Sequence, residues 1–214
     1  MIPIKPAPEP KSFDKNVRQP GLQFLNELGI SKPYDGRVRI PWKDGRFWRE
    51  CIDLLEDSYH HTCCYVGMRI NNSNSDKHRS VEHFIPKSLD PWLAYEWSNY
   101  RLSCRKANTD RGSKTVLDPF LVGPNDFRLD LFSFELFPNP NLPLNKQSEV
   151  QATIDNIDLN NSYWKTNRQK YYIEYIKTQK ISQNTLGEQF LLHYAPIVLA
   201  EINRNVNIIK IMDN

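Results

Sequence analysis

At 214 residues, 39% hydrophobic and 25% charged, the chain is long enough for one domain with an appendage and has the composition of a globular protein rather than a disordered or fibrous one. Its net charge of +3 is too small to assign a partner. The four cysteines form no disulfide framework, and the absence of an apolar leader or of a membrane-length apolar run points to a cytoplasmic protein with reduced thiols and no membrane contact.

In chain order, Met1 to Pro20 reads as an extended arm, because Pro3, Pro6, Pro8, Pro10 and Pro20 oppose a regular helix; Phe13 and Val17 are its candidate anchors. Leu22, Leu25 and Leu28 have helical spacing over Gly21 to Leu28, with Gly29 as the stop. After a loop to Gly45, a helix is predicted over Arg46 to Tyr59, capped by Asp44, with Phe47, Cys51, Leu54, Leu55 and Tyr59 on one face. His60 to Ile70 reads as a short strand or knuckle, and Asn71 to His78 as a polar loop. Strands are predicted at Ser80 to Ile85, stopped by Pro86, and at Asn99 to Cys104, with a helical turn after Asp90-Pro91 between them. A short polar helix follows over Lys106 to Lys114.

Beyond Thr115, the alternation of Phe127, Leu129 and Leu131 predicts a β-strand or hairpin. Pro138 to Pro143 is a loop. Asn160 to Lys180 and Ser182 to Asn205 read as two packing helices, the second interrupted at Pro196. The expected organisation is α+β, in three segments: an arm with a short helix (1–45), a central unit (46–121), and a hairpin with C-terminal helices packing on it (122–214).

Chemistry concentrates between residues 77 and 114. Eight basic and four acidic residues give this window +4, more than the whole chain carries. A basic excess suits a polyanion, although a solvated face accounts for the charges equally well. Within it lie Glu82 beside His83, Asn99 and Asn108. A histidine can take a proton from water near neutral pH. Carboxylate and amide oxygens, completed by water and phosphate, suit Mg²⁺ or Mn²⁺ better than a structural zinc. Neighbours on a regular strand point to opposite faces, so Glu82 and His83 can flank one phosphate only if the strand ends there.

The order Glu82-His83, Asn99 in WSNYRLSC, and Asn108 ahead of Arg111-Gly112 resembles the HNH endonucleases over Cys63 to Phe120. The resemblance implies a ββα-metal core acting on DNA. In it His83 is the general base and Glu82 and Asn108 are the metal ligands, while Asn99 steadies the loop that holds the base. Lys87, Arg105, Arg111 and Lys114 are phosphate-contact candidates. The chain departs from the paired Cys-x-x-Cys knuckles of many such proteins, since Val66 and Ala107 stand where second cysteines would be. No structural zinc is therefore expected, and a hybrid site using Cys63, Cys64, Cys104 and His60 or His61 is the less favoured alternative. HFIPKS, AYEWSNYRLSC, LDPF and the proline-rich start are similar to a bacterial HNH subgroup that includes nucleases of Septu-type antiphage systems and retron-associated effectors. That similarity implies an ATPase partner. The competing readings are a catalytically silent scaffold or nucleic-acid-binding subunit, an RNA or tRNA nuclease, and a zinc-binding nucleic-acid module.

Overall fold

The computed structural model describes residues 1–71, 78–181 and 185–212, and has the mixed α+β architecture expected. The predicted loop at Asn71 to His78 falls largely on 72–77, outside the described residues, as do 182–184 at the start of the last predicted helix.

The arm is laid down on the molecule. Its Ala7 amide donates to the Tyr59 hydroxyl (3.1 Å), and the Trp97 indole donates to the Ala7 carbonyl (2.8 Å). Phe13 and Val17 are buried, Phe13 edge-on to Trp97 and Tyr100. The arm is not extended throughout, however. A wide π-type turn at Asp14–Arg18 runs into helix α1, Gln19–Glu27. Pro20 stands in the first turn of α1, where a missing N–H is tolerated. Gly29, at φ +67°, follows the helix in the left-handed conformation that glycine accepts.

Gly21 is where α1 crosses the buried Tyr95. A Cβ added there would stand 2.2 Å from the Tyr95 ring. Replacing Gly21 by alanine is expected to cost about 1–3 kcal/mol through overpacking, read as a lowered midpoint of urea unfolding.

The helix predicted over Arg46 to Tyr59 is split into a 3₁₀ turn, Phe47–Cys51, and α2, Ile52–Ser58, and no side chain caps either. Cys51, Leu55 and Tyr59 face the core as expected, whereas Leu54 is 39% exposed. After α2 comes a knuckle closed by a bridge between Thr62 and Arg69.

Strand β1, Arg79–His83, pairs antiparallel with β2, Tyr100–Cys104, in the register Glu82 to Arg101 and His83 to Tyr100. A 3₁₀ turn at Pro91–Tyr95, capped by the Asp90 carboxylate on the Trp92 amide (2.9 Å), lies between them. Helix α3, Arg105–Arg111, packs on both strands. Behind this unit the LDPF segment returns. Asp118 takes a two-pronged bond from Arg101 (2.8 and 2.7 Å), and Phe120 stacks on the same guanidinium at 3.5 Å.

The predicted hairpin is β3, Phe127–Leu129, with β4, Leu136–Pro138. Helix α4, Leu144–Ile157, is absent from the expectation. It packs on α3 and β4 and bonds residues 114–117 through Thr153 and Asn156. Helices α5 (Ser162–Ile181), α6 (Thr185–Tyr194) and α7 (Pro196–Met212) complete the fold, with Pro196 opening α7. Among the described residues no helix is long and apolar enough to cross a membrane.

Glu201 of α7 ties this half together. It is buried and accepts from Arg128 (2.6 to 3.1 Å), Arg204 (2.6 Å) and the Leu129 amide (3.3 Å). Burial alone would raise its pKa, but these donors outweigh it and hold the carboxyl below its ordinary 4.5. A depressed folded-state pKa contributes stability above the unfolded value, and that stability is lost as pH falls through the folded one. The stability advantage of wild type over Glu201→Gln is thus expected to be full at pH 7 and to shrink below about pH 4.5, by denaturant titration at the two pH values.

Candidate active site

The β1–β2–α3 unit brings the predicted residues into one neighbourhood, on two faces. Ser80 and Glu82 share one face of β1 because strand side chains alternate. Asn108 and Arg111 share one face of α3 because helix side chains recur at three-residue steps. The two rows meet in register. Asn108 Nδ2 donates to Ser80 Oγ (2.7 Å) and to the Val81 carbonyl (3.3 Å), and one turn on, Arg111 Nη1 donates to Glu82 Oε1 (2.6 Å).

Glu82 is almost wholly buried. Its Oε1 also accepts from the Tyr65 hydroxyl (3.1 Å). Burial pushes its pKa up to about 7, against the opposing pull of Arg111, the Tyr65 bond and Lys87. Both bonds land on Oε1, and no donor among the described residues reaches Oε2. The same holds for the amide oxygen of Asn108. One carboxylate oxygen and one amide oxygen are left without donors where α3 crosses β1. Such a donor set fits a hard cation that keeps most of its waters.

His83 is the last residue of β1, and its ring lies on the other face. It sits edge-on to Trp48 (4.8 Å between centroids) and to Tyr100 (5.2 Å). Its Nε2 is 3.1 Å from the Ala94 carbonyl, which also accepts from the Tyr100 hydroxyl (2.7 Å). A carbonyl only accepts, so Nε2 carries the proton and Nδ1 is left with the lone pair. That nitrogen faces Lys87 Nζ at 3.4 Å. Burial, reinforced by the Lys87 charge, holds the imidazole well below its ordinary pKa of 6.5, with the Ala94 bond opposing. The ring is therefore held neutral, with the Nδ1 lone pair free of a proton.

Asn99 clamps the segment that follows His83. Its Oδ1 accepts from the Ile85 amide (2.7 Å), and its Nδ2 donates to the carbonyls of Ile85 and Leu93 (3.0 Å each). Its own carbonyl accepts from Phe84 (2.9 Å). The strand is closed off at His83 from both sides of the loop.

The four basic candidates divide. Lys87 is half-buried over the rings of Trp48 (5.0 Å) and Trp42 (5.8 Å). Burial lowers its pKa, and the charge of Glu82 opposes this. Arg105 and Lys114 are exposed, Lys114 donating to the carbonyls of Asp110 and Asn156 (2.8 Å each). Arg111 departs from the expectation of a phosphate contact. It is buried, and besides Glu82 it donates to the carbonyls of His83 (3.1 Å), Phe84 (2.6 Å) and Lys114 (3.1 Å). Its guanidinium is turned inward as a brace.

Tyr65, Trp48 and the Ala94 carbonyl were not foreseen. They contact Glu82 and His83 from the knuckle, the 3₁₀ turn and the inter-strand loop, so no local spacing announces them.

All four cysteines are free thiols in the core. Cys63 Sγ lies 3.6 Å from Ser103 Oγ and accepts from the Cys104 amide (3.3 Å). Burial opposes its thiolate, but bonds from the Cys104 and Cys64 thiols and from backbone amides hold its pKa well below 9.0. Among the described residues no three His, Cys, Asp or Glu side chains are grouped so as to hold a metal ion.

No family model matches the chain. Over 114 residues, 51% of its length, it is 28% identical to the Septu protein PtuB of Bacillus thuringiensis. The match takes in 40% of that protein, so the chain corresponds to well under two thirds of its relative, and the likeness is one of a shared segment.

Proposed function

We propose that the β1–β2–α3 unit is an HNH-type site that hydrolyses phosphodiester bonds of DNA. The observation that carries this reading is the pair of donor-free oxygens, Glu82 Oε2 and Asn108 Oδ1, together with a strand-end histidine on the opposite face whose Nδ1 bears the lone pair. Glu82 and Asn108 would hold Mg²⁺ or Mn²⁺, which supplies charge neutralisation at the phosphate and leaving oxygen. His83 takes the proton of the attacking water at Nδ1. The Ala94 carbonyl fixes the tautomer and Asn99 fixes the loop. Lys87 is drawn from Nδ1 toward an arriving phosphate, which exposes the base as substrate binds. Arg111 braces Glu82 instead of contacting substrate.

The relative's name and the HFIPKS and LDPF segments support a role as the nuclease of an antiphage defence system that works with an ATPase partner. The second reading, a catalytically silent subunit, draws on the burial of His83 and on the Arg111 clamp. Incubation of the protein with supercoiled plasmid, alone and with its partner ATPase, decides between them. Nicking or linearisation that needs Mg²⁺ or Mn²⁺ and stops with EDTA is expected. Intact plasmid under every condition supports the silent subunit.

A further inference from the structure

A cleft of about 990 Å³ opens away from His83, Glu82 and Asn108, between the arm, the turn that follows α2, and α6 with the start of α7. This is the size range of a small-ligand site. Its lining carries more basic than acidic side chains. Lys5, Arg69 and three histidines (His60, His61 and His193) face it against the single carboxylate Asp57. They come from four separate segments. Among the described residues neither Lys5 nor Arg69 has an ion-pair partner. His61 is oriented by a bond from Nδ1 to the buried Glu56 (3.1 Å), and its Nε2 is 4.0 Å from Asp57. His60 and His61 both stand at positive φ, 50° and 57°, a conformation that costs a non-glycine residue about 1 kcal/mol or more and recurs at ligand clamps. His193 is depressed by slight burial and then by the positive charges of Arg69 and His61. The remaining lining is apolar, with Ile2, Ile4, Leu192 and Pro196 offering a surface for a flat ring.

We propose that this cleft binds a nucleotide, its phosphates among Lys5, Arg69 and the three histidines and its ring against Ile4 and Leu192. Recognition in this proposal is direct, cation to phosphate oxygen. The nucleotide can come from two sources, a free mononucleotide or one residue of a nucleic-acid strand, and the concave shape accommodates either. The proposal does not depend on the hydrolytic reading, since it uses none of its residues.

Isothermal titration with ATP, with inorganic phosphate and with a single-stranded oligonucleotide tests it. The expected result is one-to-one ATP binding, weaker phosphate binding, and at least a tenfold loss of ATP affinity in both Arg69→Gln and Lys5→Gln. Lys5 is exposed on the arm, so its variant reports even if Arg69→Gln fails to fold. Binding of the oligonucleotide alone, with the same dependence on Arg69 and Lys5, assigns the cleft to the strand and supports the phosphate chemistry. No binding of any of the three at millimolar concentration, or affinities that both variants leave intact, overturns it.

Discussion

Replacing His83 by glutamine is expected to lower the rate of metal-dependent plasmid cleavage by about 10²–10⁴-fold, the usual contribution of a positioned general base. Glutamine is the informative choice. Its amide can still donate to the Ala94 carbonyl and fill the space between Trp48 and Tyr100, but it cannot take a proton from water. The loss should therefore fall on the single-turnover rate, with circular dichroism and the unfolding midpoint close to wild type. Lys87→Met gives a different signature. Under the proposed function this variant keeps the base and removes the Lys87 phosphate contact, so a weaker apparent affinity for DNA is expected with a smaller fall in rate.

Arg111→Met is expected to cost about 3–5 kcal/mol in urea unfolding at pH 7, the cost of breaking a buried ion pair from one side. Four acceptors each lose a donor together: Glu82 Oε1, which keeps only the Tyr65 hydroxyl, and the carbonyls of His83, Phe84 and Lys114. Lysine should recover only part, because a single ammonium cannot reproduce the fork that reaches Glu82 and two successive carbonyls. The double variant Glu82→Leu, Arg111→Met should be more stable than Arg111→Met alone, since no buried carboxyl is left without its partner. A surface arginine would show none of this and would lose less than about 0.5 kcal/mol.

The same residue shows where sequence reading stops. Arg111 sits in a basic helix beside Gly112, so its charge is legible but its partner is not, because Glu82 lies 29 positions earlier and the two meet only when α3 lies along β1. The hairpin–helix core was legible because its signals are local: alternating strands, Pro86 as a stop, and Asn108 followed by Arg-Gly. Asn99 makes three side-chain bonds, to Ile85 and Leu93, that no local spacing specifies. Helix α4 carried a readable signal, Val150, Ile154 and Ile157 at helical spacing and all buried, but its polar surroundings obscured it. Asp44 has the chemistry of a cap, but the backbone enters through a 3₁₀ turn that does not use it. The opposite faces of Glu82 and His83 follow from strand alternation. That Lys87 stands against His83 could be learned only from the packing of Trp42 and Trp48 beneath it.

The most direct measurement is the rate of plasmid cleavage against Mn²⁺ concentration for wild type, Glu82→Gln and Asn108→Ala. With Glu82 Oε2 and Asn108 Oδ1 as the protein's cation donors, the half-saturating concentration should rise at least about tenfold in each variant, in proteins that remain folded. An unchanged midpoint in both variants, or cleavage by wild type that persists in EDTA, contradicts a cation held between β1 and α3.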